Sequence, residues 1–100
     1  PNAVVKITPS QLNVAISKGD LAKVQQLVEI GVDVNKKDER GTTPLMYAIL
    51  FNQPQIAAYL IRNGADCNAK DVKGNSISDY AEKSKSEEII KLVNDARKRR

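Results

Sequence analysis

Val24, Leu27 and Val28, then Ile56, Leu60 and Ile61, then Ile89, Ile90 and Val93 stand at the spacing of one face of an α-helix, not at the alternation of a strand. Three further apolar segments precede them, marked by Leu12 with Ala15, Leu45 with Ala48, and Ala81. The middle one, Leu45-Met46-Tyr47-Ala48-Ile49-Leu50-Phe51, is apolar nearly all round, as a helix packed between two others needs to be. The connecting stretches 32 to 40 and 65 to 73 are too polar for core strands and read as finger-like turns. The pattern predicts an all-α chain of helical pairs, each inner helix followed after a very short turn by an outer one.

Local signals place the boundaries. Thr43 can cap a helix whose first residue, Pro44, has no N–H to lose and a φ already suited to the first turn. Thr8-Pro9-Ser10-Gln11 repeats the device, with Gln11 completing a capping box, and Ser76 with Asp79 is a weaker version. Inner helices are therefore expected to begin near residues 9, 44 and 77. Asp20 and Ser86 suit the caps of two outer helices and Pro54 the first turn of another, while Gly31 and Gly64 mark outer-helix ends.

The segments are copies of one unit. Gly31-Val32-Asp33-Val34-Asn35 returns as Gly64-Ala65-Asp66-Cys67-Asn68 after 33 residues, and the same offset carries Leu12 onto Leu45, Leu27 onto Leu60, Asp38 onto Asp71, Gly41 onto Gly74, and Ala15 onto Ala48 and Ala81. No one pair could hide its apolar surface alone, so each depends on its neighbours. The terminal units should then be polar on their outer faces, which Asn13, Ser17 and Lys18 in the first, and Asp79, Glu82, Lys83 and Lys85 in the last, are suited to provide.

Gly41-Thr42-Thr43-Pro44-Leu45-Met46-Tyr47-Ala48, followed by Leu60-Ile61-Arg62-Asn63-Gly64-Ala65-Asp66-Cys67-Asn68, closely resembles the ankyrin repeat. The resemblance implies a helix-turn-helix solenoid with β-turn fingers, forming a single domain over 1–100 with an N-terminal repeat at 8–40, a central repeat at 41–73 and a degenerate C-terminal capping repeat with a basic tail at 74–100. Met46 stands where that family usually has histidine, so the hydrogen bonds made there across the turn are expected to be missing. Ile77-Ser78 replaces the usual Pro-Leu in the third unit.

Composition removes most chemistry. With no histidine and a single cysteine, the chain lacks the commonest general base and the partners for nucleophilic or zinc catalysis, so no enzyme activity, metal or cofactor is expected. Cys67 occupies the position of Val34 and reads as a small buried hydrophobe. Asp33, Asp38, Asp66 and Asp71 recur in the fingers as turn residues, not as acid/base pairs. Aromatic residues make up only 4% of the chain, so cohesion must come from aliphatic packing. No apolar run is long enough to span a membrane, and Pro1 to Ile7 lack the pattern of a secretory signal, so a cytoplasmic protein is the default.

The net charge of +4 is C-terminal: residues 1–82 hold equal numbers of basic and acidic side chains, and the run Arg97-Lys98-Arg99-Arg100 closes the chain. That run suits a solvated helix end, whose macrodipole it offsets, and it leaves open a nuclear address or an adaptor tail for nucleic acid, anionic membrane or an import receptor. It has no interleaved aromatics, which argues against nucleic acid.

What remains is a surface for another protein. The resemblance implies partner contacts through the finger tips and the exposed side of the inner helices: Lys37, Glu39, Arg40 and Thr42 in the first finger, Lys70, Val72, Lys73 and Asn75 in the second, and Ser17, Lys18, Leu50, Phe51, Lys83 and Ser84 on the helices. Leu50-Phe51 either anchors a partner, rimmed by Lys18, Arg40 and Lys83, or packs between repeats. The basic rim favours an acidic partner, which the chain would inhibit or recruit.

Overall fold

The structure, a computed structural model, describes residues 10–99. Six helices form: α1 (Gln11–Ser17), α2 (Leu21–Glu29), α3 (Pro44–Leu50), α4 (Pro54–Arg62), α5 (Ile77–Ser84) and α6 (Glu87–Lys98). They pair as α1–α2, α3–α4 and α5–α6, and the pairs stack so that α1, α3 and α5 make an inner layer and α2, α4 and α6 an outer one.

Side-chain caps start nearly every helix. The Thr43 hydroxyl accepts from the Met46 N–H at 3.2 Å, and Ser76 with Asp79 forms a complete capping box. Asp20 and Ser86 cap α2 and α6 as expected, and Pro54 opens α4. The first helix differs from expectation. It begins at Gln11 and its cap is Ser10, which accepts from the Asn13 N–H at 3.0 Å; Thr8 and Pro9 lie outside the described residues. The repeat register explains the shift, because Ser10 is the residue 33 positions before Thr43 and Thr8 is not.

Met46 also departs from expectation. Its thioether sulfur accepts from the Thr43 N–H at 3.4 Å, so the bond from the cap to the first turn is kept with a weaker acceptor.

The three inner-to-outer turns share one backbone solution. Gly19, Asn52 and Lys85 all have left-handed φ values, of +70°, +52° and +57°. The outer helices α2 and α4 end at Gly31 and Gly64, but the equivalent position in the last repeat is Arg97, and there α6 runs on to Lys98.

The core is the aliphatic seam between the layers, with Leu12, Ile16, Leu45, Met46, Ile49, Leu60, Ile77 and Ile89 almost wholly buried. Cys67 and Val34 occupy matching buried positions, as their equivalence requires. Among the described residues only one ion pair forms, the exposed Lys91–Asp95, so charge contributes little to cohesion.

Polar clamps fix the spacing between repeats. The Asn35 side chain donates to the Gly64 carbonyl at 3.0 Å and accepts from the Asp66 N–H at 2.8 Å, binding the base of one repeat to the next. At the tips, the Val72 N–H donates to the Arg40 carbonyl at 3.0 Å. Gly41 makes this approach possible: its φ is +75°, and a Cβ there would stand 2.9 Å from the Val72 nitrogen.

Candidate recognition surface

Each finger is built around one aspartate. Asp38 Oδ1 accepts from the Arg40 and Thr42 N–H groups, both at 2.9 Å, and Asp71 Oδ1 does the same for Lys73 and Asn75. The second oxygen of each is taken by a tyrosine hydroxyl from the inner helix that follows: Tyr47 donates to Asp38, and Tyr80 donates to Asp71 at 2.6 Å. Each finger is thereby latched to its helix.

The latch shifts the titration of its members. Burial works to raise Asp38, but the Tyr47 hydroxyl, the Thr42 and Arg40 N–H groups and the Arg40 charge together hold it below the ordinary carboxylate value. The Tyr80 hydroxyl, helped by N–H groups of Asn75 and Lys73, holds Asp71 at about 2. Burial and then the bond to Asp38 push Tyr47 up to about 12, and burial and Asp71 push Tyr80 upward likewise.

Sequence reasoning found both aspartates as turn residues and missed both tyrosines. The signal was present: Tyr47 and Tyr80 share the 33-residue offset and lie nine residues after their aspartates. In the first repeat the same two positions are Val5 and Val14, so aspartate and tyrosine are replaced together.

Two grooves open on the side of the inner helices. The larger, about 570 Å³, runs between α1, α3 and the first finger. Val14, Tyr47 and Phe51 are its apolar wall, and Lys36, Lys37 and Arg40 stand along the finger side. The Tyr47 and Phe51 rings are near parallel, with centroids 6.3 Å apart and an interplanar angle of 14°. Asn13 also lines it, and its Oδ1 is shielded from water with no hydrogen-bond donor. The smaller groove, about 300 Å³, lies between α3 and α5, with Leu50, Tyr80, Lys83 and Ser84 among its walls.

Of the residues expected from sequence, the first groove gathers Ser17, Lys37, Glu39, Arg40 and Phe51, and the second gathers Leu50, Asn75, Lys83 and Ser84. Lys18, Lys70, Val72 and Lys73 are exposed but line neither groove. Thr42 is only 6% exposed, so its side chain offers almost no surface.

Leu50 and Phe51 are exposed, at 59% and 47%, and are not packed between repeats. They do not form one patch, because neighbouring helical positions point about 100° apart and the two enter different grooves. Lys18 does not rim either. Asn13 and Ser17, expected on a polar end face, instead line the first groove, and Lys83 lines the second. Arg97 of the basic run donates to the Ser78 hydroxyl of α5, and Arg100 lies outside the described residues.

Among the described residues, no cluster of His, Cys, Asp and Glu could hold a metal ion, and no helix is long and apolar enough to cross a membrane.

Comparison with known proteins agrees with the architecture. The family description "Ankyrin repeats (3 copies)" matches residues 12–99. The chain is 43% identical over 68 residues, 68% of its length and 44% of the relative's, to human Protein phosphatase 1 regulatory subunit 27. It is 32% identical over 96 residues to Phosphocholine transferase AnkX of Legionella pneumophila, which covers 93% of this chain and 10% of that protein. The human ASB11 ankyrin repeat domain superposes with a TM-score of 0.82 at 27% identity, over 88% of this chain and 40% of that one. The chain thus spans less than half the length of these relatives. Ankyrin repeats are a non-catalytic scaffold for protein–protein interaction, and with three copies across 12–99 this chain belongs to the ankyrin repeat family.

Proposed function

We propose that this chain recognises a protein partner through the groove between α1, α3 and the first finger, with Phe51 as the anchor, and that it inhibits or recruits that partner. The observation that carries the reading is an aromatic side chain left 47% exposed beside a second aromatic ring, at a groove edged by cations. A large apolar side chain held in the open by a rigid helix is costly to leave in water and contributes strongly when a partner covers it. Lys36, Lys37 and Arg40 favour an acidic partner and speed its approach. The human relative is by name a regulatory subunit of a phosphatase, which supports a regulatory role; the transferase named in the bacterial relative is matched over only a tenth of its length.

The test is capture from lysate by the wild-type chain beside the Phe51→Ala, Arg40→Ala double variant. Both residues are exposed, so the variant should keep its fold and lose the captured protein. Equal retention of every captured protein by the two chains would remove this face from consideration.

A further inference from the structure

The two junctions between inner helices are built on the same repeat, yet one carries the larger groove and the other does not. The difference lies in the residues that α1 contributes. Ser10, Asn13 and Val14 line the first groove; their counterparts 33 positions on are Thr43, Met46 and Tyr47, of which the first two are buried and the third is bonded to its finger. Tyr47 itself turns to the first finger and walls the first groove. The pair that separates the two grooves is therefore Ser17 in the first and its counterpart Leu50 in the second, where a small polar side chain leaves open space that a leucine takes up.

We infer that the first groove receives an aromatic side chain from an acidic segment of the partner, with Ser17 as the residue that leaves room for it. The inference rests on the reading of this side as the recognition face. Three separate observations support it. The Tyr47 and Phe51 rings form one wall of the space, which gives an aromatic group ring surface to pack against. Both oxygens of Asp38 are turned inward on N–H and hydroxyl donors, which leaves Glu39 as the outward carboxylate against Lys36, Lys37 and Arg40. The Asn13 Oδ1 atom lacks a donor, and rotation of the amide would let it accept an N–H from a bound main chain.

Position 17 can be tested without loss of the fold, because it is exposed and the equivalent position of the next repeat already carries Leu50. The probe is an acetylated and amidated pentapeptide of one phenylalanine with two glutamates on each side, titrated into the isotope-labelled chain and followed by NMR. Control peptides replace the phenylalanine by alanine or the glutamates by lysines. The expected result is saturable shifts of Val14, Tyr47 and Phe51, at least tenfold weaker binding of either control, and at least tenfold weaker binding of the glutamate peptide by Ser17→Leu. A second variant, Lys36→Glu with Arg40→Glu, changes exposed side chains on the finger side and should favour the lysine peptide instead. Lys37 is kept because its Nζ donates to the Lys70 carbonyl at 3.3 Å.

Equal binding of the three peptides, undiminished binding by Ser17→Leu, or shifts confined to α2, α4 and α6 would overturn the inference. So would concentration-dependent shifts of the same groove residues without peptide, which would make a second copy of the chain the occupant. If the peptide fails while Phe51→Ala with Arg40→Ala still abolishes capture of the partner, the face stands and only the aromatic-acidic occupant is wrong.

Discussion

Gly41 and Gly74 form an internal control for how closely the fingers must meet. Both have left-handed φ, +75° and +84°, and they are equivalent positions of successive repeats. Alanine at either site pays the left-handed penalty, roughly 1–2 kcal/mol. Only at Gly41 does a new methyl group meet backbone, 2.9 Å from the Val72 nitrogen and 3.2 Å from the Asp71 carbonyl carbon and Cα; at Gly74 nothing stands within 4 Å. Relieving that overlap requires the second finger to move by about 0.5 Å, enough to weaken the Val72 N–H bond to the Arg40 carbonyl, worth about 1 kcal/mol net. With residual repulsion of the order that overpacked sites show, Gly41→Ala should cost about 1–3 kcal/mol more than Gly74→Ala. That is a large part of the ~5–15 kcal/mol that a chain of this length commonly has. Equilibrium urea unfolding followed by circular dichroism at 222 nm measures both. Equal costs, within about 0.3 kcal/mol, would refute the claim that the tip-to-tip contact is tight.

Three further outcomes follow from particular residues. Lys85 adopts φ +57° where the first repeat has Gly19, so Lys85→Gly should stabilise by about 0.5–1 kcal/mol and raise Tm by a few degrees; an unchanged or lower Tm would contradict this. Phe51→Ala should cost no more than about 1 kcal/mol, against about 2–5 kcal/mol for Ile49→Ala in the core, so calorimetry should separate the surface role of one from the packing role of the other. Stability should be level from about pH 5 to 7, since no histidine titrates there. Asp38, Asp71 and Asp79 have folded pKa values below their unfolded ones, so their contribution is full above about pH 4 and is lost as pH falls through the folded values. Tyr47 and Tyr80 are raised, Tyr47 to about 12, so their contribution is full below about pH 10 and lost on going higher. Urea midpoints across that range check both limbs, and replacing both tyrosines by phenylalanine should flatten the alkaline one.

The repeat period made the helical pairs, their order and most caps readable before any coordinates. At the start of α1 the local signal and the period disagree: Thr8-Pro9 imitates Thr43-Pro44, but the 33-residue register fixed by Leu12 and Leu45 points to Ser10, which is the cap. The recognition surface was legible as a set of exposed positions and illegible as a shape. Sequence spacing places Leu50 beside Phe51 without saying that each enters a different groove. The tyrosine latches are hard to see in the sequence because the turn role of each aspartate is satisfied by one oxygen alone. Ser17 and Leu50 hold equivalent positions in the two grooves, and the room left by the smaller side chain is apparent only when they are set side by side.

The most direct measurement is site-specific photocrosslinking in cells, with benzoylphenylalanine placed at Phe51 in one chain and at Gln26, exposed on the outer helix α2, in another. The expected result is a covalent adduct with one protein from position 51 and none from position 26. An adduct from position 26 alone would place the partner on the outer helices and contradict recognition through the groove.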